Sequence, residues 1–324
     1  MHPPFDLTTR IVGLVASVAE KMGRARGEHL DRPAVQLRRR NRIRTVRASL
    51  AIEGNTLTEK QITALIEHKR VAGPAHDVRE VLNALQVYEA IAQFDPYSLD
   101  DFRRAHTLLM EGLVDDAGGF RRGAVGIAKG DHVTHIAPPA DRVPGLLRDL
   151  FTWLRTSEDH ILLKSCVAHY EIEFIHPFTD GNGRMGRLWQ SVLLRADHPV
   201  IEHVPVETII KERQADYYAA LEHADALGRS TPFIEFSLAA LDEALDRLLD
   251  AQPPHRTPQD RMRAFLDAHG PGWFVRADYL ALERTISTAT ATRDLTSAVK
   301  DGVLERTGTG RATRYRRASR NLKM

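Results

Sequence analysis

The sequence predicts a mainly α-helical protein: a long helical body interrupted by one β-hairpin, then a smaller α+β module. Three observations predict it. Apolar residues recur at helical spacing through most of the first 250 positions, as at Val78, Val81, Leu82 and Leu85. The pattern breaks at Asp115–Pro139, where Gly118, Gly119, Gly123, Gly126 and Gly130 precede Pro138-Pro139. A polar stretch with three prolines, 251–258, then separates the body from a segment of different charge.

The elements follow in order. Val35–Ile52 is a helix dense in arginine, closed by Gly54-Asn55, a pair suited to the left-handed residue at a helix end. Thr58-Glu59-Lys60-Gln61 forms a capping box for a helix over Glu59–Lys69. Helices are predicted over Asp77–Phe94 and from Ser98 to Leu113. Val125–Ile127 and Val133–Ile136 flank Lys129-Gly130-Asp131 and read as a hairpin. Helices resume over Arg142–Arg155, Ile161–Ile175, Arg184–Arg195, Glu207–Leu227 and Pro232–Asp250, with Thr231 as cap before an N1 proline. Beyond the linker come helices over Gln259–Ala268, Ala277–Glu283 and Thr288–Asp301, the last capped by Ser287. Strands over Val303–Arg306 and Thr313–Arg316 flank Gly308-Thr309-Gly310.

Composition bounds the function. The 324 residues suit about two domains, and a hydrophobic fraction of 43% with 27% charged residues is that of an ordinary globular chain. No run of 18 apolar residues exists, so no spanning helix is expected. Met1–Arg10 lacks a basic stretch followed by an apolar core, so no secretory signal is expected and the cytoplasm is the expected location. The single cysteine, Cys166, cannot form an intramolecular disulfide; its apolar surroundings read as a buried structural position. The net charge of +2 is uneven, with 14 Lys+Arg against 7 Asp+Glu from Pro253 onward. The arginine-dense run at 38–47 reads as a solvated helix face with acidic neighbours in preference to a nucleic-acid contact.

Residues 176–187 carry the chemistry: His-Pro-Phe-Thr-Asp-Gly-Asn-Gly-Arg-Met-Gly-Arg. Gly181-Asn182-Gly183 lies at a helix start, where glycines can aim successive N–H groups at one point and the helix dipole favours an anion. Arg184 and Arg187 lie on one side of that helix, opposite a core stripe of Met185, Leu188, Trp189, Val192 and Leu193. Two guanidiniums beside an anion cradle suit an oligophosphate. Asp180 is a hard oxygen ligand suited to Mg²⁺. His176 can accept a proton near neutral pH, and Pro177 directs the chain after it.

This segment resembles the signature of the Fic family, His-Pro-Phe-x-Asp-Gly-Asn-Gly-Arg-x-x-Arg, without departure. The resemblance runs over about 35–250. It implies a Fic-type helical domain that transfers AMP from Mg·ATP to a Ser, Thr or Tyr hydroxyl of a target protein, and to itself. By that resemblance His176 would be the general base, Asp180 would hold Mg²⁺, and the backbone of Gly181, Asn182 and Gly183, with the Asn182 side chain, would cradle the phosphates. Arg184 and Arg187 would hold the β- and γ-phosphates. Phe120-Arg121 through Pro138 is similar to the family's flap, which holds the target segment. Tyr217-Tyr218-Ala219-Ala220-Leu221 is similar to a segment that closes the nucleotide side.

Ser49-Leu50-Ala51-Ile52-Glu53-Gly54 resembles the family's inhibitory motif. A Glu53 carboxylate paired with Arg187 would remove the cation that the γ-phosphate needs. The implied partition is an N-terminal helical region at 1–95 with the inhibitory helix at about 35–54, a catalytic domain at 96–250, a linker at 251–258 and a C-terminal module at 259–324. Gln259–Arg317 resembles a winged helix. Leu295 and Val299 of its recognition helix would face the core, Thr290, Thr292, Arg293 and Thr296 would face outward, and Arg311, Arg314, Arg316 and Arg317 would form a basic wing. Contact with DNA and contact with protein both fit this module, and a homodimer is left open; no membrane partner is expected. Two other readings compete with the adenylyltransferase: a DNA-binding transcriptional regulator whose nucleotide pocket senses, and a Fic enzyme that transfers another phosphate-containing group or removes AMP.

Overall fold

A computed structural model describes residues 3–27, 35–129, 132–250, 257–283 and 286–318. The expected linker at 251–258 lies outside the described residues except for its last two positions, as do Gly130 and Asp131 at the hairpin tip; the side chain of Arg311 is likewise not described. The chain divides into two compact units, Met1–Ala251 and Gln252–Met324.

The first unit is helical. Its elements are α1 (Thr9–Gly27), α2 (Val35–Ile52), α3 (Glu59–Ile66), α4 (Ala75–Glu89), α5 (Leu99–Met110), α6 (Val143–Thr156), α7 (Ile161–Ile175), α8 (Asn182–Asp197), α9 (Val206–Glu212), α10 (Gln214–Leu227) and α11 (Thr231–Asp250). A two-stranded antiparallel hairpin, β1 (Gly126–Lys129) and β2 (His132–Ile136), is inserted between α5 and α6, with a register irregularity at Ile127/Ala128. Helix α7 is apolar on nearly every side because it runs through the core, where Leu162, Cys166, Val167, Ala168 and Ile172 are fully buried. It packs along α8, whose stripe Met185, Leu188, Trp189, Val192 and Leu193 is buried as the sequence implies. The Trp189 ring meets Phe102 edge-on at 5.2 Å and Phe151 at 5.9 Å. The first four helices share this core. Helix α1 packs on α11, with Ser17 and Lys21 bonded to Asp242, and α2 packs on α9.

Among the local expectations that change, the helices expected over Glu59–Lys69 and Asp77–Phe94 end early, at Ile66 and Glu89. Glu207–Leu227 is two helices, broken at Arg213 (φ −109°, ψ 36°). The break lets Lys211 and Gln214 donate to Ala51 O (2.7 Å) and Ile52 O (3.0 Å), carbonyls at the end of α2; Ala51 O also accepts from Gly54 N (3.3 Å). Thr231 is the first residue of α11 rather than its cap, and its hydroxyl accepts from the Asp6 N–H at 2.8 Å. Helix α8 begins at Asn182, two residues before the expected Arg184, so Asn182 and Gly183 form its first turn. The Thr58/Gln61 capping box and the left-handed Gly54 (φ 97°) are present as read.

The second unit comprises α12 (Pro258–His269), α13 (Arg276–Leu282) and α14 (Thr288–Lys300), then an antiparallel pair, β3 (Leu304–Thr307) and β4 (Arg314–Arg317). Phe274 bridges to Tyr315 on the edge of that pair. Met262, Phe265, Leu266, Phe274, Tyr279, Ala291, Leu295 and Leu304 form its core. Inside it Asp294 accepts from Arg261 and from the Tyr279 hydroxyl (3.0 Å). Leu295 is buried and Val299 half-buried, while Thr292, Arg293 and Thr296 are exposed and Thr290 half-buried.

Arg121 anchors the base of the hairpin. Its buried guanidinium donates to His176 O (2.7 Å), Gly123 O (2.7 Å), Pro138 O (2.5 Å) and Ile175 O (3.2 Å), and its N–H donates to Pro177 O (2.9 Å). Replacing it strands several buried carbonyls, so Arg121→Ala should lower unfolding free energy by about 3 kcal/mol or more. Arg121→Lys should recover little of this, because an ammonium lacks the planar fork. Urea denaturation of the three proteins measures both.

Candidate active site

His176 ends α7 in the left-handed region (φ 49°, ψ 61°), a conformation rare for a residue with a side chain. Its N–H still donates to Ile172 O at 3.0 Å, so the helix closes there. After Pro177, Phe178 plugs the turn into the core by stacking on the His106 ring at 3.5 Å. Asn182 closes the loop: its amide oxygen accepts from Phe178 N and its amide nitrogen donates to Phe178 O, both at 2.9 Å. The Asn182 side chain is thereby committed to the loop backbone.

Gly181 caps α8 at φ 82°. A side chain there would be strained and would strike Met110 Sδ, 2.7 Å from an added Cβ. The first intrahelical bond is Met185 N to Gly181 O. The N–H groups of Asn182, Gly183 and Arg184 therefore open the helix without intrahelical acceptors, as an anion cradle requires. Asp180, half-exposed at the rim, accepts from Gly181 N (2.5 Å) and Arg184 Nη2 (3.1 Å).

Arg187 is 2% exposed. Its Nε donates to Ser49 Oγ (3.1 Å), its Nη2 to Ser49 O (3.1 Å) and Glu53 Oε1 (2.7 Å). Its Nη1 is buried with no hydrogen-bond partner. Burial works against this charge, but Glu53, with help from Tyr217 and Glu173, outweighs it and holds the guanidinium above its ordinary pKa. Tyr217 is buried and donates to Glu173 Oε1 at 2.8 Å; burial first, then the Glu173 charge, pushes its hydroxyl pKa far up. Tyr218 is half-buried beside it, the rings 5.3 Å apart.

A cavity of about 340 Å³ collects these groups. His176, Asp180, Gly181, Asn182, Gly183, Arg187, Glu53, Tyr217 and Tyr218 all line it. Ser49 and Arg184 do not. Ser49 stands behind Arg187, and Arg184 is held by Asp180 and by Glu80 of α4. The arrangement offers a base, a carboxylate ligand, an N–H cradle and a buried cation around one volume.

The comparisons with known proteins agree with this geometry. The model of the Fic/DOC family matches residues 96–194. A Fic family protein from Desulfovibrio desulfuricans G20, known from its crystal structure, is 43% identical, and the match covers 98% of this chain and 99% of that one with a TM-score of 0.73. The chain belongs to the Fic family. It is also 30% identical over 234 residues to a Nematostella vectensis protein named protein adenylyltransferase Fic, covering 68% of this chain and 52% of the relative. A Caenorhabditis elegans protein named protein adenylyltransferase fic-1 is 30% identical over 218 residues, with 63% and 40% covered. The chain thus spans about half the length, or less, of these two named relatives.

In this Fic chain, three site residues escaped sequence reasoning. Glu80 accepts from Arg184 and from Asn55 Nδ2 (2.8 Å), linking the end of α2 to the cradle. Glu173 sits beside Arg187 and Tyr217. Its position three before His176 is the one signal that marks it. His106 supports the loop from below: Gly118 N–H donates to its Nδ1 (2.8 Å), so its Nε2 carries the proton and donates to Asp180 O (3.0 Å). Burial, reinforced by the Arg184 charge and partly offset by the Asp180 carbonyl, pulls the His106 pKa down to about 4 from 6.5. The folded state therefore binds fewer protons than the unfolded one between those values, and stability present above pH 6.5 is lost as pH falls to 4. The shift corresponds to roughly 3 kcal/mol at most. His106→Phe should be less stable than wild type at pH 7.5, and the gap should narrow towards pH 4, as read by chemical unfolding at each pH.

Proposed function

We propose that this chain is an autoinhibited protein adenylyltransferase that moves AMP from Mg·ATP to a Ser, Thr or Tyr hydroxyl of a target protein, and to itself. One observation carries the reading: the buried, partnerless Arg187 Nη1 shares a cavity with the open helix start and with His176. A buried donor without an acceptor calls for a ligand oxygen. The names of the Nematostella and Caenorhabditis relatives support this transfer. The single cysteine, Cys166, fits action in a reducing compartment such as the cytoplasm.

In this reading the N–H groups of Asn182 and Gly183 receive phosphate oxygens, and Arg187 binds the γ-phosphate. Arg184 acts on the β-phosphate only after leaving Glu80; in the present arrangement it orients Asp180. Asp180 fits Mg²⁺, since it is a single, oriented carboxylate at the mouth of a phosphate cradle, and the ion's other ligands would be phosphate oxygens and water. When bound, the ion would neutralise negative charge on the phosphates. His176 Nδ1 lies 3.4 Å from Glu173 O, a contact that favours the proton on Nδ1 and the lone pair on Nε2. His176 takes the proton of the target hydroxyl. The hydroxyl oxygen bonds to the α-phosphorus as the bond to the bridging oxygen breaks, and pyrophosphate leaves in line. Tyr217 and Tyr218 close the nucleotide side. The β1–β2 hairpin, fixed at its base by Arg121, serves as the flap that receives the target segment.

Glu53 is the brake. Its carboxylate occupies the guanidinium edge that a γ-phosphate needs, and Ser49 holds Arg187 in that position. The helical region at 1–95 is then regulatory and 96–250 catalytic. Glu53→Gly should raise auto-modification roughly tenfold or more, the effect of about 1.4 kcal/mol. His176→Ala should abolish it in both backgrounds. Intact mass spectrometry after incubation with Mg·ATP reads the gain of one adenylyl group; equal signal from wild type and Glu53→Gly would remove the brake.

The second unit supports a winged-helix reading, with α14 as recognition helix and β3–β4 as wing. The charge excess of its segment favours a phosphate backbone, and the exposed Thr292, Arg293 and Thr296 face outward from α14. Two wing arginines are already answered, Arg316 by Glu305 and Arg317 by Asp267. Binding should therefore be weak and steep in salt. A gel shift with duplex DNA should show retardation at low salt and none at moderate salt. No shift at low salt assigns the module to protein contacts.

A further inference from the structure

Helix α2 carries Ser49 behind Arg187, and Glu53, the residue after its end, lines the nucleotide cavity. Another part of the helix surface lines a second cleft, of about 540 Å³, against α9 and α11. Arg40, Arg44 and Arg47 enter this cleft from α2. Their spacing of four and three residues puts them on one helix face. Among the described residues they have no hydrogen-bond or carboxylate partner. The arginines just outside this face differ: Arg39 pairs with Glu67, and Arg42 pairs with Glu89 and Glu202.

The other walls add charge. Lys211 of α9 lines the cleft while donating to Ala51 O. Arg247 of α11 also lines it, but Glu212 and Glu243 answer its charge. The acids at the cleft are Glu59 and that same Glu212. Four cations, Arg40, Arg44, Arg47 and Lys211, thus face one uncommitted carboxylate. The Thr208 hydroxyl oxygen, also in the lining, is buried without a hydrogen-bond partner. Like charges at these helical spacings repel and hold a local positive potential. Guanidinium forks match phosphate oxygens in pairs, and a monoanion would leave most of this charge unbalanced.

We propose that the α2–α9–α11 cleft binds a polyanionic phosphate compound, at a site separate from the nucleotide cavity. Lys211 couples that site to α2. An anion that draws the ammonium away from Ala51 O loosens the helix end two residues before Glu53. What the loosening does to catalysis rests on the brake reading; the binding itself does not.

The probe is inorganic tripolyphosphate, titrated calorimetrically into the full chain at low salt. Binding should survive Arg187→Ala, which disables the nucleotide cavity. It should weaken roughly tenfold or more in the triple variant Arg40→Ala, Arg44→Ala, Arg47→Ala, and should weaken with added salt. No binding to wild type, or binding lost in Arg187→Ala yet kept in the triple variant, would overturn the site. The three side chains lie outside the core, so melting of the triple variant should match wild type; Arg44→Glu gives the same test if it does not. Amide hydrogen exchange at 51–55 should quicken on adding tripolyphosphate to wild type, and unchanged exchange would overturn the coupling.

Discussion

Arg187 is a cation that the fold has removed from water, and most of the site is arranged around that cost. Withdrawing an ion from solvent costs several kcal/mol unless acceptors replace the lost hydration. Ser49 supplies a hydroxyl and a carbonyl, Glu53 supplies the charge, and the two N–H groups of Nη1 remain unfilled. The burial that would make Arg187 a strong phosphate ligand also makes it dependent on an anion when no phosphate is present. On the proposed reading, inhibition is therefore an exchange of one anion for another on a single buried guanidinium.

That exchange needs α2 to be held at its end, and the holding groups come from three directions. Lys211 and Gln214 bond its last carbonyls because the chain breaks between α9 and α10. Asn55, just past the left-handed Gly54, bonds Glu80, and Glu80 bonds Arg184. Arg184 in turn bonds Asp180. A continuous polar chain thus runs from the helix that carries Glu53 to the carboxylate proposed for the metal. A change at either end alters what the other end can donate or accept.

The fold class, most elements and the residues at 176–187 were legible because each had a local cause. Helical periodicity located the helices, the Thr58/Gln61 box marked a start, and the glycines around Asn182 marked the cradle. Glu53 against Arg187 was legible only through a resemblance, since the two lie 134 positions apart and no periodicity connects them. The break at Arg213 was not legible, because what favours it is a pair of carbonyls on a distant helix. For the same reason Glu80 looked like an ordinary helix glutamate. Arg184 and Arg187 share a spacing that implies one environment, yet they are separated by partners from α4 and α2 that the local sequence does not contain. The bonds of the Asn182 side chain to Phe178 were not legible, because they depend on how the loop folds back.

Gly183 shows how closely the proposed catalysis and restraint would share space. A Cβ at this position would lie 2.7 Å from Glu53 Oε1, 3.2 Å from Arg187 Nη1 and 3.3 Å from Glu173 Oε1. The glutamate therefore does more than neutralise Arg187. It lies directly against the first turn of α8, where the backbone N–H groups would receive phosphate oxygens. A triphosphate seated in that turn meets both the volume and the charge of the Glu53 carboxylate. The absence of a side chain at 183 is what lets the carboxylate come so near, and the same absence opens the turn to a phosphate. On the proposed reading, one glycine thus serves both the carboxylate and the phosphate, which compete for the same turn.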